Sequence, residues 1–158
     1  MEDCIEVKKK QIIQEYSASG RKEPTNIVNP KSFYDQTPVW SFWRCDFEHD
    51  RWGIGLHNRY LPELLRRLKA FEGMKWKEIL SDTAGRNSNT KNHIVAVSDL
   101  DKKVQKRLEE LKLDDFDEIC SLTITGVRRL WGIVIDGTFY VVWFDVNHEI
   151  YPSSKRHT

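Results

Sequence analysis

Little in this chain points to a stapled, exported or membrane-bound protein. Its three cysteines, Cys4, Cys45 and Cys120, are odd in number, far apart and form no Cys-x-x-Cys pair. Reduced thiols in a cytoplasmic protein are the simple expectation. No apolar run approaches the roughly 18 residues that a membrane span needs. Residues 1–10 mix acids, a cysteine and three lysines without an apolar stretch, so no signal peptide is expected. Neither sign of charge dominates: 25 basic and 24 acidic side chains leave a net charge of +1. Bulk electrostatics therefore gives no reason to expect nucleic acid, and any such site must be a local basic patch.

Familiar signatures are absent too. The chain has no GxxxxGK[ST] loop, no GxGxxG fingerprint and no GxSxG elbow, which argues against nucleotide binding and serine hydrolase chemistry. Cys45, His49 and His57 come nearest to a metal set. Their Cys-x3-His-x7-His spacing matches no established zinc pattern, and Cys45 reads as a strand residue. No metal and no cofactor is expected.

What is present is core material. Six Trp, seven Phe and five Tyr sit among 158 residues, 39% of which are hydrophobic. A chain of this length buries enough surface to fold as one domain. Residues 1–38 read as a short helix (Ile5, Ile12, Ile13 and Tyr16 on one face) and a linker arm broken by Gly20, Pro24, Pro30 and Pro38. Residues 39–158 read as the single domain.

Within it, Val39–Phe47 is aromatic-rich and bounded by a proline, which predicts a strand. Asn58 as cap, Pro62 in the first turn, Leu61, Leu64, Leu65, Leu68 and Phe71 at helical spacing, and Gly73 as stop predict a helix. Trp76–Leu80 can add a turn. His93–Val97 alternates as a strand. Ser98 with Asp101 opens a helix running to about Leu113, with Val104, Leu108 and Leu111 inward. Ile119–Thr125, Val127–Ile135 and Thr138–Phe144 are strands, the last two joined by Asp136-Gly137. That dipeptide is a strong hairpin signal because both positions need positive φ. Counting outward from this loop pairs Leu130 with Trp143, Arg129 with Phe144 and Arg128 with Asp145. Leu130, Val134, Phe139, Val141 and Trp143 then share one face, and Trp131, Ile133, Tyr140, Val142 and Phe144 the other. Both faces are apolar, which predicts strands covered on each side. The expected fold is α+β, with helices packed on a mostly antiparallel sheet that ends in a three-stranded meander.

Three groups of residues can carry chemistry. Arg128 and Arg129 flank the hairpin mouth, where a guanidinium can grip phosphate. The plainer reading is an Arg128–Asp145 salt bridge closing the ladder, and Arg129 then has no acid across from it. The tail from His148 to Thr158 gathers His148, Glu149, Tyr151, Lys155 and His157. RNA cleavage by its own 2′-hydroxyl needs a base, a cation and an acid. His148 or Glu149 suits the base, Arg129 or Lys155 the cation, Tyr151 or His157 the acid. A frayed end over a capped sheet is the competing reading. The loop from Gly85 to His93 carries Arg86, Lys91 and His93 without an acid, so it can track a sugar-phosphate backbone or be a surface turn.

The stretch Ser121–Pro152 (SLTITGVRRLWGIVIDGTFYVVWFDVNHEIYP) resembles the C-terminal meander of the RelE/ParE toxin superfamily. The likeness rests on Leu122 to Gly126, on Arg129-Leu130-Trp131, on Asp136-Gly137, and on the close His148-Glu149-Ile150-Tyr151. The closing residues also resemble the ends of uncharacterised bacterial and phage proteins. The resemblance implies a microbial-ribonuclease-like fold and metal-independent endoribonuclease activity on mRNA, often at the ribosome. It also implies an antitoxin partner covering the sheet. By matched position Arg129 becomes the phosphate arginine, with His148 and Tyr151 as acid/base candidates. The alternative is a non-catalytic interaction domain, an adaptor or gyrase-inhibitor-like toxin, binding through exposed aromatics such as Trp40 or Trp52.

Overall fold

The computed structural model describes residues 33–82 and 90–152. Along the chain come β1 (Val39–Ser41), α1 (Leu61–Glu72), α2 (Trp76–Ser81), β2 (His93–Ala96), α3 (Lys102–Glu110), β3 (Glu118–Thr123), β4 (Arg129–Ile135) and β5 (Thr138–Asp145). The five strands form one sheet in the order β1-β5-β4-β3-β2. Only β1 runs parallel to its neighbour. The fold is α+β, and β3, β4 and β5 form the expected meander. Among the described residues no helix is long and apolar enough to cross a membrane.

Apolar alternation in β4 and β5 feeds two cores. On one side Trp131, Ile133, Val142 and Trp143 pack with Val104 and Leu108 of α3. On the other, Leu130, Phe139, Val141 and Phe144 pack with Leu64, Leu68 and Phe71 of α1 and with Trp76 and Ile79 of α2. Each central strand is thus covered on both faces, as its sequence requires. Phe33 joins the second core and Trp76 donates its backbone N–H to the Gln36 carbonyl. The packed region therefore begins by Phe33, upstream of Pro38.

The hairpin register differs from the count along the sequence. Asp136 and Gly137 do take positive φ, 48° and 83°, as the tight turn demands. Between the Trp131↔Trp143 and Gly132↔Val141 pairs, however, β5 holds one extra residue. This bulge moves Trp143 to the face of Trp131 and Phe144 to that of Leu130. It also places Asp145 opposite Arg129, not Arg128. Gly132 permits it: a Cβ there would collide with the Phe139 ring and the Tyr140 carbonyl.

Three element ends also depart from expectation. The predicted strand Val39–Phe47 stops at Ser41, because Cys45 donates its N–H back to the Phe42 carbonyl and the Asp46 carboxylate turns the chain by accepting the Glu48 and His49 amides. Asn58 does not cap α1. It lies in a 3-10 segment, Ile54–Tyr60, and α1 starts at Leu61 with Pro62 in its first turn. Ser98 falls in a separate 3-10 turn, and Asp101 caps α3 by accepting the Lys103 N–H at 2.8 Å.

Candidate functional site

Asp145 organises the end of the sheet. It is fully buried, and its carboxylate accepts backbone N–H groups from Asn147, Glu149 and Ile150 at 3.2, 2.7 and 2.9 Å. Three donors satisfy a charge that burial would otherwise penalise. They also fold residues 146–150 into a tight turn in which His148 takes φ 59°. That turn returns the imidazole toward the strand ends.

Arg129 lies across from Asp145 and is half buried. Its Nη1 donates to the Gly126 and Arg128 carbonyls at 2.6 and 3.0 Å. Among the described residues it has no carboxylate in ion-pair contact. Burial lowers its pKa, against the opposing pull of Asp145. His93 approaches from the far edge of the meander, at the start of β2, where it pairs with Ser121. Its Nδ1 is held by Thr90 Oγ1 at 2.9 Å.

The three side chains share one electrostatic environment. Burial first, then the Arg129 charge, then His148 push His93 below its ordinary value of 6.5. Burial and Arg129 likewise lower His148, against Asp145 and a hydrogen bond with the Tyr151 backbone. Near neutral pH both rings are neutral and face a cation. Thr90 engages the His93 ring and the Tyr151 backbone the His148 ring. No family model, curated protein or solved structure matches this chain. The site is therefore read from its own chemistry.

The other sequence-named residues are dispersed. Glu149 pairs with Arg51 and accepts from Trp52 Nε1 at 3.4 Å. Tyr151, largely exposed, lines a separate cleft of about 480 Å³ with Arg51, Trp52, Lys103 and Glu149 beside the start of α3. Arg128 lies over the Tyr60 ring at 4.0 Å and pairs with Glu63 at 3.2 Å, not with Asp145. Lys91 pairs with Asp82 at 3.3 Å. Arg86, Lys155 and His157 lie outside the described residues. Among the described residues, no three His, Cys, Asp or Glu side chains gather as a metal set. Cys45 is pushed up to about 12 by burial and then by Asp46, His49 stacks on Trp52 at 4.1 Å, and His57 Nε2 meets the Arg51 carbonyl.

Two features escaped the sequence. His93 read as a backbone-tracking residue of a loop, yet it opens β2 opposite Ser121, within electrostatic reach of Arg129. Asp145 read as a salt-bridge partner, yet it builds the turn that poses His148. An Asp at a strand end with Asn two residues on was an available signal for such a turn.

Proposed function

We propose that this protein is a metal-independent endoribonuclease, in keeping with its likeness to RelE/ParE-type toxins, and that the scissile phosphate lies among His93, Arg129 and His148. The observation that carries the reading is that two imidazoles, His93 and His148, lie within electrostatic reach of one guanidinium, Arg129, that has no carboxylate in ion-pair contact among the described residues. One imidazole takes the proton of the RNA 2′-hydroxyl as its oxygen attacks phosphorus. The other, protonated, delivers a proton to the departing 5′-oxygen. Arg129 balances the charge that gathers on the phosphoryl oxygens. The products are a 2′,3′-cyclic phosphate and a free 5′-hydroxyl. The acid role that the tail suggested for Tyr151 passes to a histidine. In a toxin setting mRNA or the ribosome is the target, and an antitoxin covers the sheet end.

The test is cleavage of single-stranded RNA by purified protein in the presence of a chelator. Cyclic-phosphate ends are expected, with Arg129→Ala slowing cleavage by about 10²–10³-fold. Unchanged cleavage by that variant, or none by the intact protein, ends the proposal.

A second reading has its own observation. Phe42, Trp43 and Phe47 are 47%, 59% and 62% exposed just after β1. Such a patch suits a protein partner. Trp40 and Trp52 do not belong to it: Trp52 is buried and Trp40 packs into the second core. Growth arrest that survives Arg129→Ala but not Phe47→Ser favours this interaction-domain reading.

A further inference from the structure

Arg44 presents an unusual set of unused donors. It follows β1 and carries its guanidinium over two rings, Phe116 and Tyr140, each at 5.5 Å. Its Nε is buried without a hydrogen-bond partner. Among the described residues no acceptor meets its other nitrogens and no carboxylate pairs with it. By contrast, Arg107 pairs with Asp46 and Arg128 with Glu63, and Arg129 donates to two backbone carbonyls. A guanidinium has five N–H donors in a rigid fork, and leaving one buried and unpaired is costly.

The group lines a cleft of about 260 Å³ together with Trp43, Cys45, Leu111 and Leu113. Beside the arginine the lining side chains are an indole, a thiol and two leucines. The volume falls below the roughly 300–1,000 Å³ of pockets that enclose cofactors and drug-sized ligands. It suits one or two side chains. A single guanidinium fork matches one carboxylate, whereas phosphate-bearing motifs draw clusters of arginine.

We propose that this cleft receives a carboxylate flanked by apolar side chains from a partner polypeptide, with Arg44 as its bidentate anchor. The two rings hold the fork in place before binding, so little side-chain freedom is lost on docking. Leu111 and Leu113 contact the apolar neighbours of the carboxylate. The site is independent of the sheet end that holds Arg129.

The test uses the full chain labelled with nitrogen-15 and three probes. Acetyl-Phe-Glu-Leu-amide carries a side-chain carboxylate, acetyl-Leu-Phe a terminal one, and acetyl-Phe-Gln-Leu-amide none. The readout is the Arg44 Nε–H resonance. Saturable movement of that signal by one carboxylate probe, and binding weaker by about 10-fold or more for the glutamine probe, is expected. Which acidic probe binds tells whether the anchor is a side chain or a chain end. Arg44→Gln should abolish binding, and Arg44→Lys, which keeps the charge but not the fork, should weaken it. Equal binding of the glutamine probe, or full binding by folded Arg44→Gln, overturns the proposal. So does an Arg44 signal already shifted without peptide. Loss of that shift on dilution would assign the cleft to a second copy, and persistence to another segment of this chain.

Discussion

At the scale of single residues, two buried carboxylates, Asp46 and Asp145, tie separate segments of the described structure together. Asp46 accepts from Arg107 Nε and Nη2, both at 2.8 Å, from Trp143 Nε1 at 2.9 Å, and from the Glu48 and His49 amides. It thereby ties the segment after β1 to α3 and β5. Arg107→Ala leaves that carboxylate buried without its countercharge. A loss of about 3 kcal/mol is expected, read from urea unfolding. Tyr151→Phe removes only an exposed hydroxyl in the other cleft, so RNA cleavage should be unchanged. His148→Ala should slow it about 10²-fold or more. Equal losses in both would return the tyrosine to the reacting centre.

At the scale of elements, the bulge in β5 is the feature with the most consequence. It exists because β4 offers Gly132 where any side chain would meet the Phe139 ring and the Tyr140 carbonyl. Gly132→Ala must either push these groups apart or slip the hairpin. A destabilisation of about 1–3 kcal/mol is expected from overpacking alone. If the register slips instead, Asp145 leaves Arg129, and the His148 ring signal should move in an NMR spectrum. Helix α1 shows the opposite case of tolerance. Leu61 and Leu65 lie at helical spacing with its core residues, yet they are 44% and 52% exposed, because Leu64, Leu68 and Phe71 already fill the contact with the sheet.

At the scale of the whole molecule, the charge balance sets a defined response to acid. His93 and His148 have folded pKa values below 6.5, so the unfolded chain binds more protons as pH falls past that value. Stability should begin to decline below about pH 6.5. A second loss follows from Asp46. Burial raises its pKa, but hydrogen bonds from Arg107, Trp143 and the Glu48 amide outweigh that and hold it at about 2, below the ordinary 3.8. Its contribution is complete above pH 3.8 and disappears as pH falls through 2. Thermal melting across this range should show both steps, and the double variant His93→Gln/His148→Gln should lose only the first. For kcat/KM on RNA the same shifts predict a bell with its maximum on the acid side of 6.5, since one ring must be neutral and the other protonated.

Much of this protein was determined by sequence alone. Alternation in Leu130–Ile135 and Thr138–Phe144, the Asp136-Gly137 turn, and the spacing of Leu64, Leu68 and Phe71 dictate the meander, its two covered faces and the main helix. These are local effects, in which backbone geometry and apolar period agree within a few residues. The exact pairing at the hairpin mouth was beyond sequence, because one inserted residue in β5 depends on space left by a glycine on the facing strand. The electrostatic coupling of His93 with Arg129 and His148 was also beyond it. Those residues come from β2, β4 and the turn after β5, and only strand order and the buried Asp145 carboxylate bring them within electrostatic reach of one another.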